Sequence, residues 1–393
     1  VRIGFDVSQT GQGKAGCGFF ADSLVQALAA QDSANEYVLY PAFGTGWWDP
    51  DHARTTRRIA QPNVRRGPAD MSHAESIDFW RHPPAGFEER LGRPDVVHAN
   101  NYFCPRGLAH ARTVYTLYDL VPLDHPEYLT EANRLVCFDG LFEASLRADL
   151  LLAISSHSRA RFLAHFPHVP PERVRVVYPS SRFEDGRPPR ADAAPADLLP
   201  GGFFLSVGTL EPRKNLRRLL AAFARLVAAG DTALPLVLAG GRGWLEDGLE
   251  AYVSSLGLDG RVRVLGYVDD ETLRWLYASC LAFAYPSLVE GFGLPVLEAM
   301  GLGAAVVTSD RSSLPEVAGD AALAVDPEDE QALAAALRRL AAEPGLRDAL
   351  RGRAVARARA FSWAGAARQT LELYREALAL PPLSADALSS GQT

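Results

Sequence analysis

Short apolar runs recur along the chain and alternate with stretches whose apolar residues return every third or fourth position. RIGFDV, YVLYPAF, DVVHAN, RTVYTLYDL and DLLLAIS read as strands, and the intervening stretches read as helices, about 20–30 and 131–148. That alternation predicts parallel strands joined by helices. After RVRVVYP, the segment EDGRPPRADAAPADLLPGG is rich in Pro, Ala, Asp and Gly and has no apolar period, so residues 184–201 are expected to be a linker. The alternation restarts with FFLSVGTL, a helix about 216–228, LPLVLAGG, a helix about 245–255, VRVLGYV, LAFAYPS, AAVVTSD and AALAVDP, which describes a second doubly wound domain. Helices about 329–342 and 346–360 follow. A last helix places Trp363, Ala367, Thr370, Leu371 and Tyr374 on one face, which needs somewhere to pack.

The expected organisation is therefore α/β, with two Rossmann-like doubly wound domains facing a central cleft. The first covers 1–183 with the helix about 363–380 returning to it, the second covers 202–362, and 381–393 form a flexible tail. Open sheets of this kind bind ligands at the carboxyl ends of their strands.

Length supports the division, since 393 residues exceed one ordinary core. A net charge of −7 lacks the basic face that polymeric nucleic acid requires, so nucleic acid is excluded as a partner. The cysteines, 17, 104, 137 and 280, show neither metal-ligand spacing nor a disulfide framework. No apolar stretch reaches the roughly 18 residues of a spanning helix, and the VRIGFDV start lacks a charged leader, so a cytoplasmic protein is expected. The Arg-rich stretch RGRAVARARAF can rest on anionic lipid at the inner membrane face, although a solvated basic helix face is the simpler reading. Among 40 basic residues only Lys14 and Lys214 are lysine, both in turn-like loops where a compact ammonium can meet phosphate.

The most specific segment is PSLVEGFGLPVLEAMGLGAAVVTSDRSSLPEVAGDAALAVDP, residues 286–327. Glu290 and Glu298 are separated by seven residues. The first falls on a loop after a strand, and Pro295 starts a helix that carries the second about one turn in. Two carboxylates can then approach one ligand from different sides, and Gly291 and Gly293 allow close backbone approach to a phosphate. The plain alternative is a capped helix start with a solvated glutamate.

This segment resembles the signature of glycosyltransferase family 4, a retaining family of the GT-B fold, and the similarity extends over most of the chain. The resemblance implies that Glu290 approaches the donor sugar, that Glu298 hydrogen-bonds the nucleotide ribose, and that amides of Phe292, Gly293 and Leu294 lie near sugar and phosphate, beside Gly291. SVGTLEPRKNLRRLLAAF is similar to the strand, loop and helix in which an Arg and a Lys hold the diphosphate, here Arg213 and Lys214, with Gly208 and Thr209 in the same loop. Fixed cations stabilise the charge gained by a departing diphosphate. In TGQGKAGCGFFADSLVQAL, Gly16 and Gly18 match the glycine loop aimed at the donor phosphate; no G-x-G-x-x-G with a following acidic partner marks a dehydrogenase instead. In RTVYTLYDLVPLDHPEY, Tyr118 precedes Asp119 where many relatives have His before the Asp; both are candidate catalytic residues, with Tyr118 expected to face the donor sugar and a buried structural tyrosine as the alternative. His98, Asn100, Ser155 and Ser158 are expected at strand ends facing the cleft, and His125 in a loop.

The resemblance implies a retaining hexosyltransferase taking a nucleotide-sugar donor, GDP-mannose before a UDP- or dTDP-sugar, and a glycan or lipid-linked acceptor in surface polysaccharide synthesis. No cofactor and no metal are expected, because Arg213, Lys214 and helix amides meet the diphosphate and no D-x-D stands in a suitable loop. A glycan phosphorylase would need a lysine for pyridoxal phosphate, and both lysines lie in phosphate-type loops. The non-enzymatic alternative is a degenerate GT-B partner that binds nucleotide without turnover.

Overall fold

The computed structural model describes residues 1–11, 16–45, 59–68, 71–241, 243 and 248–381. Lys14, the start of the helix expected at 245 and nearly all of the tail from 381 lie outside the described residues. The chain divides into two units. One comprises Val1–Pro126, Glu131–Pro179 and the chain from Ser362; the other comprises Ser180–Phe361 with Glu127–Thr130.

In the first unit β1 (Arg2–Asp6) leads to α1 (Gly16–Gln31), β2 (Glu36–Tyr40) and β3 (Val64–Arg66). Helices α2 (His73–Arg81) and α3 (Phe87–Arg90) precede β4 (Val96–Ala99) and β5 (Arg112–Leu117). Then come α4 (Val121–Asp124), α5 (Glu131–Arg147), β6 (Leu150–Ala153), α6 (Ser156–His165) and β7 (Val174–Val176). The described strands form one sheet in the order β3-β2-β1-β4-β5-β6-β7, every pair parallel, with Ile3 opposite Tyr37 on one side and Val96 on the other. Helices cover both faces of such a sheet, which is why its central strands are continuous apolar runs rather than alternating ones. Val97, Tyr115, Leu117 and Leu151 meet Phe79, Trp80, Leu141 and Phe162 in one core.

The second unit runs β8 (Phe204–Val207), α7 (Leu216–Ala228), β9 (Leu236–Ala239), α8 (Leu249–Ser255), β10 (Val262–Gly266), α9 (Asp270–Ser279) and β11 (Ala282–Tyr285). It continues through α10 (Leu294–Gly301), β12 (Val306–Ser309), α11 (Leu314–Ala318), β13 (Leu323–Val325), α12 (Glu330–Ala342) and α13 (Pro344–Ala358). Its parallel sheet has the order β10-β9-β8-β11-β12-β13. Leu216, Leu219, Leu220, Phe223 and Leu226 form the buried face of α7, the period-3.6 stripe that burial against a sheet selects.

The chain then returns to the first unit as α14 (Trp363–Ala379), started by Ser362, whose hydroxyl accepts from the Gly365 amide at 3.0 Å. Its buried face is Trp363, Ala366, Ala367, Thr370, Leu373, Tyr374 and Ala377, so Leu373 takes the inward place expected of Leu371. It packs against α1, with the Trp363 and Phe20 rings 5.7 Å apart. Residues 184–201, expected as a linker, fall within the second unit. Arg274 is almost fully buried on α9, and the Pro- and Asp-rich segment supplies its partners: the Asp185 carboxylate at 2.8 and 3.0 Å and the Arg187 carbonyl at 2.9 Å.

Candidate functional site

In the second unit the chain runs from β8 outward to β10, then starts again at β11 and runs to β13. The neighbours β8 and β11 are therefore the point where strand order reverses, and the loops leaving their carboxyl ends diverge to frame a ligand crevice. The loop after β8 carries Gly208 and Thr209 and tightens into a single turn over Pro212–Lys214. Asn215 then adopts a left-handed conformation, φ 60°, and caps α7. Its amide donates to the carbonyls of Pro286 and Pro327 at 3.0 and 2.6 Å, and the Leu288 amide donates to Arg213 O at 2.8 Å. The two loops are thereby held in one register.

That register gathers four charges. Glu290 Oε1 accepts from Lys214 Nζ at 2.6 Å, Ser287 Oγ at 2.6 Å and the Tyr285 hydroxyl at 2.8 Å, while Oε2 accepts from Arg213 Nη1 at 2.6 Å. Lys214 Nζ also donates to the Tyr285 oxygen at 2.8 Å. Glu211, behind them, accepts from Arg213 Nη2 at 2.7 Å. Two cations thus face two carboxylates. The Arg213 side chain is 21% exposed against 8% for Glu290 and 2% for Glu211, so the cluster presents guanidinium to solvent and keeps its carboxylates behind.

Burial pushes the Glu290 carboxyl up, but Arg213 and Lys214 outweigh it and hold the group at about 2, ionised at any physiological pH. Burial and the neighbouring Arg213 draw the Lys214 ammonium below its ordinary value, against Glu290 and Glu211 pulling it back.

The loop after β11 continues through Gly291 and Phe292 to Gly293, which caps α10 at φ +106°. A Cβ there would sit 2.6 Å from the flexible end of Leu314, and the left-handed φ is what favours glycine. The Phe292 ring is core, edge-on to Phe361, which leaves its backbone rather than its side chain to line the loop. Ser313 Oγ reaches the carbonyls of Glu290 and Phe292 at 2.9 and 2.8 Å, fixing the loop from below. Leu294 opens α10; Pro295 carries no amide hydrogen and the Val296 amide bonds the Gly293 carbonyl at 3.0 Å, so the Leu294 amide is the first-turn donor that precedes the helical ladder. One turn on, Glu298 is buried away from the Glu290 cluster: Arg182 Nε donates to its Oε1 at 2.7 Å and the Tyr277 hydroxyl to its Oε2 at 3.2 Å. Gly208 lies against the Lys214 stem, and Thr209 is exposed on its loop.

In the first unit Gly16 opens α1 in an exposed position and Gly18 is buried within it. Tyr118 is 5% exposed, and its hydroxyl donates to the Asn100 carbonyl at 2.8 Å, with the Phe20 ring edge-on at 5.6 Å. Of the two expectations for this residue, the buried structural one describes its surroundings. Asp119 is half-buried and accepts from the Tyr102 hydroxyl and the Val121 amide, both at 3.2 Å.

His98, Asn100, Ser155 and Ser158 were expected at strand ends facing the cleft, but each is buried among hydrogen-bond partners of its own. Ser155 caps α6, accepting from the Ser158 amide at 3.0 Å, and Ser158 Oγ donates to Tyr118 O at 2.7 Å. Thr116 Oγ1 donates to Asn100 Oδ1 at 2.8 Å, so it accepts from His98 Nε2–H at 2.9 Å. His98 Nδ1 is then left to accept from the Tyr374 hydroxyl at 2.7 Å. Burial holds His98 neutral, its pKa lowered to about 3. His125 ends α4 as its cap.

Residues 16–180 match the family Glycosyltransferase Family 4, and residues 199–357 match Glycosyl transferases group 1. Over 382 residues the chain is 33% identical to the O-antigen chain mannosyltransferase B of Escherichia coli, covering 92% of this chain and 96% of that protein. The chain belongs to glycosyltransferase family 4. Among solved structures, this family 4 glycosyltransferase superposes on sucrose-phosphate synthase from Thermosynechococcus elongatus with a TM-score of 0.71 at 23% identity, covering 95% and 98% of the two chains. Anabaena HepE in complex with UDP and glucose gives 0.70 at 19% identity, covering 95% and 99%. Both likenesses confirm the GT-B fold of two Rossmann-like domains.

Sequence reasoning missed three partners in this glycosyltransferase. Glu211 was legible, standing in the same LEPRKN turn as Arg213, and Tyr285 closes the LAFAYPS strand. Arg182 had no local signal, because its partner Glu298 lies 116 residues away. Among the described residues no cluster of three His, Cys, Asp or Glu is placed to hold a metal ion, and no helix is long and apolar enough to cross a membrane.

Proposed function

We propose that this glycosyltransferase transfers mannose from GDP-mannose, with retention of anomeric configuration, to a glycan or lipid-linked acceptor in surface polysaccharide synthesis. The observation that carries the reading is the near full-length similarity to the Escherichia coli O-antigen mannosyltransferase, together with a charge cluster suited to a diphosphate.

Arg213 and Lys214 receive the donor diphosphate, and Thr209 and the Gly291–Leu294 backbone bring amides towards it, while the Gly208 amide is committed to the Ala239 carbonyl at 2.9 Å and Gly208 serves by keeping the loop free of a side chain. As the bond from the anomeric carbon to the phosphate oxygen breaks, charge grows on that oxygen beside two cations already fixed in place, so no reorganisation is needed at that moment. The acceptor hydroxyl attacks from the face the diphosphate leaves and gives its proton to the departing phosphate oxygen. Glu290 has no proton to donate, since its carboxyl is held at about 2. Its part is to orient both cations and to place negative charge beside the oxocarbenium-like sugar. Glu298 takes the ribose hydroxyls, and the cations perform the charge-stabilising work without a divalent ion. The protein works at the cytoplasmic side of the membrane. A UDP-sugar donor is the second reading, favoured by the likeness to a protein solved with UDP and glucose.

The test is a panel of GDP-, UDP- and dTDP-sugars assayed for transfer and hydrolysis, with the product anomer read by proton NMR. GDP stabilises the protein by several degrees and an α-mannoside forms. Stabilisation by UDP alone overturns the donor assignment, a β-product overturns retention, and neither transfer nor hydrolysis makes the chain a nucleotide-binding partner protein.

A further inference from the structure

The segment Ser180–Arg187 is strapped to α9 by charge: Arg182 Nη1 to Asp270 at 3.1 Å, Asp185 to Arg274 at 2.8 Å and Arg187 to Glu271 at 3.3 Å. Arg182 also reaches α10, where its Nε bonds Glu298 Oε1. Glu298 is 1% exposed, yet the Arg182 side chain is 19% exposed, so Arg182 forms the rim on the solvent side of that carboxylate. A carboxylate so buried stays ionised only if a cation faces it.

The groups that face Glu298 are few. From α9 come the Tyr277 hydroxyl and Asp270, a like charge; from the 180–187 segment comes Arg182. Charges on two further elements packed on α10 are engaged elsewhere. β11 commits Tyr285 to Glu290, and α13 commits Arg351 to the carbonyls of Cys280 and Leu281 and Arg357 to those of Glu316 and Val317. Among the described residues Arg182 is the full positive charge that faces Glu298.

We propose that Arg182 is a positioning residue for nucleotide binding, holding Glu298 by Oε1 as an oriented, ionised carboxylate that accepts the ribose hydroxyls. The inference rests on the ribose role of Glu298 given above. Burial raises the Glu298 carboxyl above its ordinary value, and Arg182 limits the rise. Without Arg182 the carboxyl protonates at higher pH, and the ribose meets a neutral acid instead of an anion.

Calorimetry with GDP and UDP between pH 5.5 and 8.5, on wild type and on R182Q, R182K and E298Q, tests the proposal; a 2′,3′-dideoxynucleoside diphosphate serves as control. In R182Q affinity falls about tenfold near pH 6.5, and the acid limb of binding moves up by about 1–3 pH units, the reach of one close opposite charge. R182K restores most of the affinity, and the dideoxy control is indifferent to every variant. R182M gives the same test should R182Q not fold. If E298Q weakens binding while R182Q keeps the wild-type affinity and pH profile, Arg182 has no positioning role and the ribose reading stands. If E298Q itself binds as wild type, the ribose reading fails and takes the proposal with it.

Discussion

Glu290→Gln keeps the shape of the side chain and removes its charge from the four-charge cluster. The wild-type carboxyl is held at about 2 against an ordinary value of 4.5, and that difference corresponds to roughly 3 kcal/mol of folding stability. The same order is expected when one partner of a buried ion pair is removed, because Arg213 and Lys214 lose a counter-charge that water cannot replace. For a unit of this size the melting temperature of the ligand-free protein should fall by roughly 6–12 °C at pH 7. A carboxyl depressed on folding contributes fully above its unfolded value and loses that contribution as pH falls through its folded value. The gap between wild type and variant is therefore constant from pH 8 to about 5 and narrows only from 4.5 towards 2.

Nucleotide binding should move the other way. In the ligand-free protein Glu290 competes with phosphate for both cations, so the glutamine variant should bind GDP at least as tightly as wild type while kcat falls. Thermal melts across pH, calorimetry with GDP and initial rates make the three measurements. An unchanged melting temperature at pH 7 would refute the energetic account of the cluster, and loss of GDP binding would refute the competition between Glu290 and phosphate for the two cations.

Lys214→Met should weaken GDP about 10–150-fold and leave guanosine binding unchanged, since a charge-assisted bond worth about 1.5–3 kcal/mol is lost to the phosphates alone; equal losses for both ligands in calorimetry would contradict this. Tyr118→Phe should cost about 1 kcal/mol in denaturant unfolding, by stranding the buried Asn100 carbonyl, with little change in turnover. A tenfold fall in kcat would return the hydroxyl to the donor sugar. Tyr374→Phe should destabilise the first unit by about 1–2 kcal/mol, because His98 Nδ1 loses its donor. His98, with its pKa near 3, should show no titration in histidine NMR between pH 8 and 5, in wild type and variant alike.

The strands and long helices were legible in the sequence because their signals are local. A parallel strand buried on both faces is an unbroken apolar run, and a helix such as α7 repeats its apolar residues within a few turns. The three-residue edge strand β3, reading VRR, has no such run; its place is decided by backbone pairing with β2. Helix α9 was overlooked, although Asp269, whose carboxylate accepts from the Thr272 amide, announces its start.

In the site, Glu290 could be singled out from a turn-forming motif whose glycines and proline constrain the backbone on the spot, and Arg213 and Lys214 from the family resemblance of their turn. That Glu290 is clamped by four donors, that Arg182 bonds a glutamate 116 residues away, and that His98 spends both nitrogens inside the core on Thr116 and Tyr374 was decided only by the fold. Burial is a property of the packed chain. It determines which polar groups must find partners, and nothing in a residue's neighbours along the sequence states whether water will remain beside it.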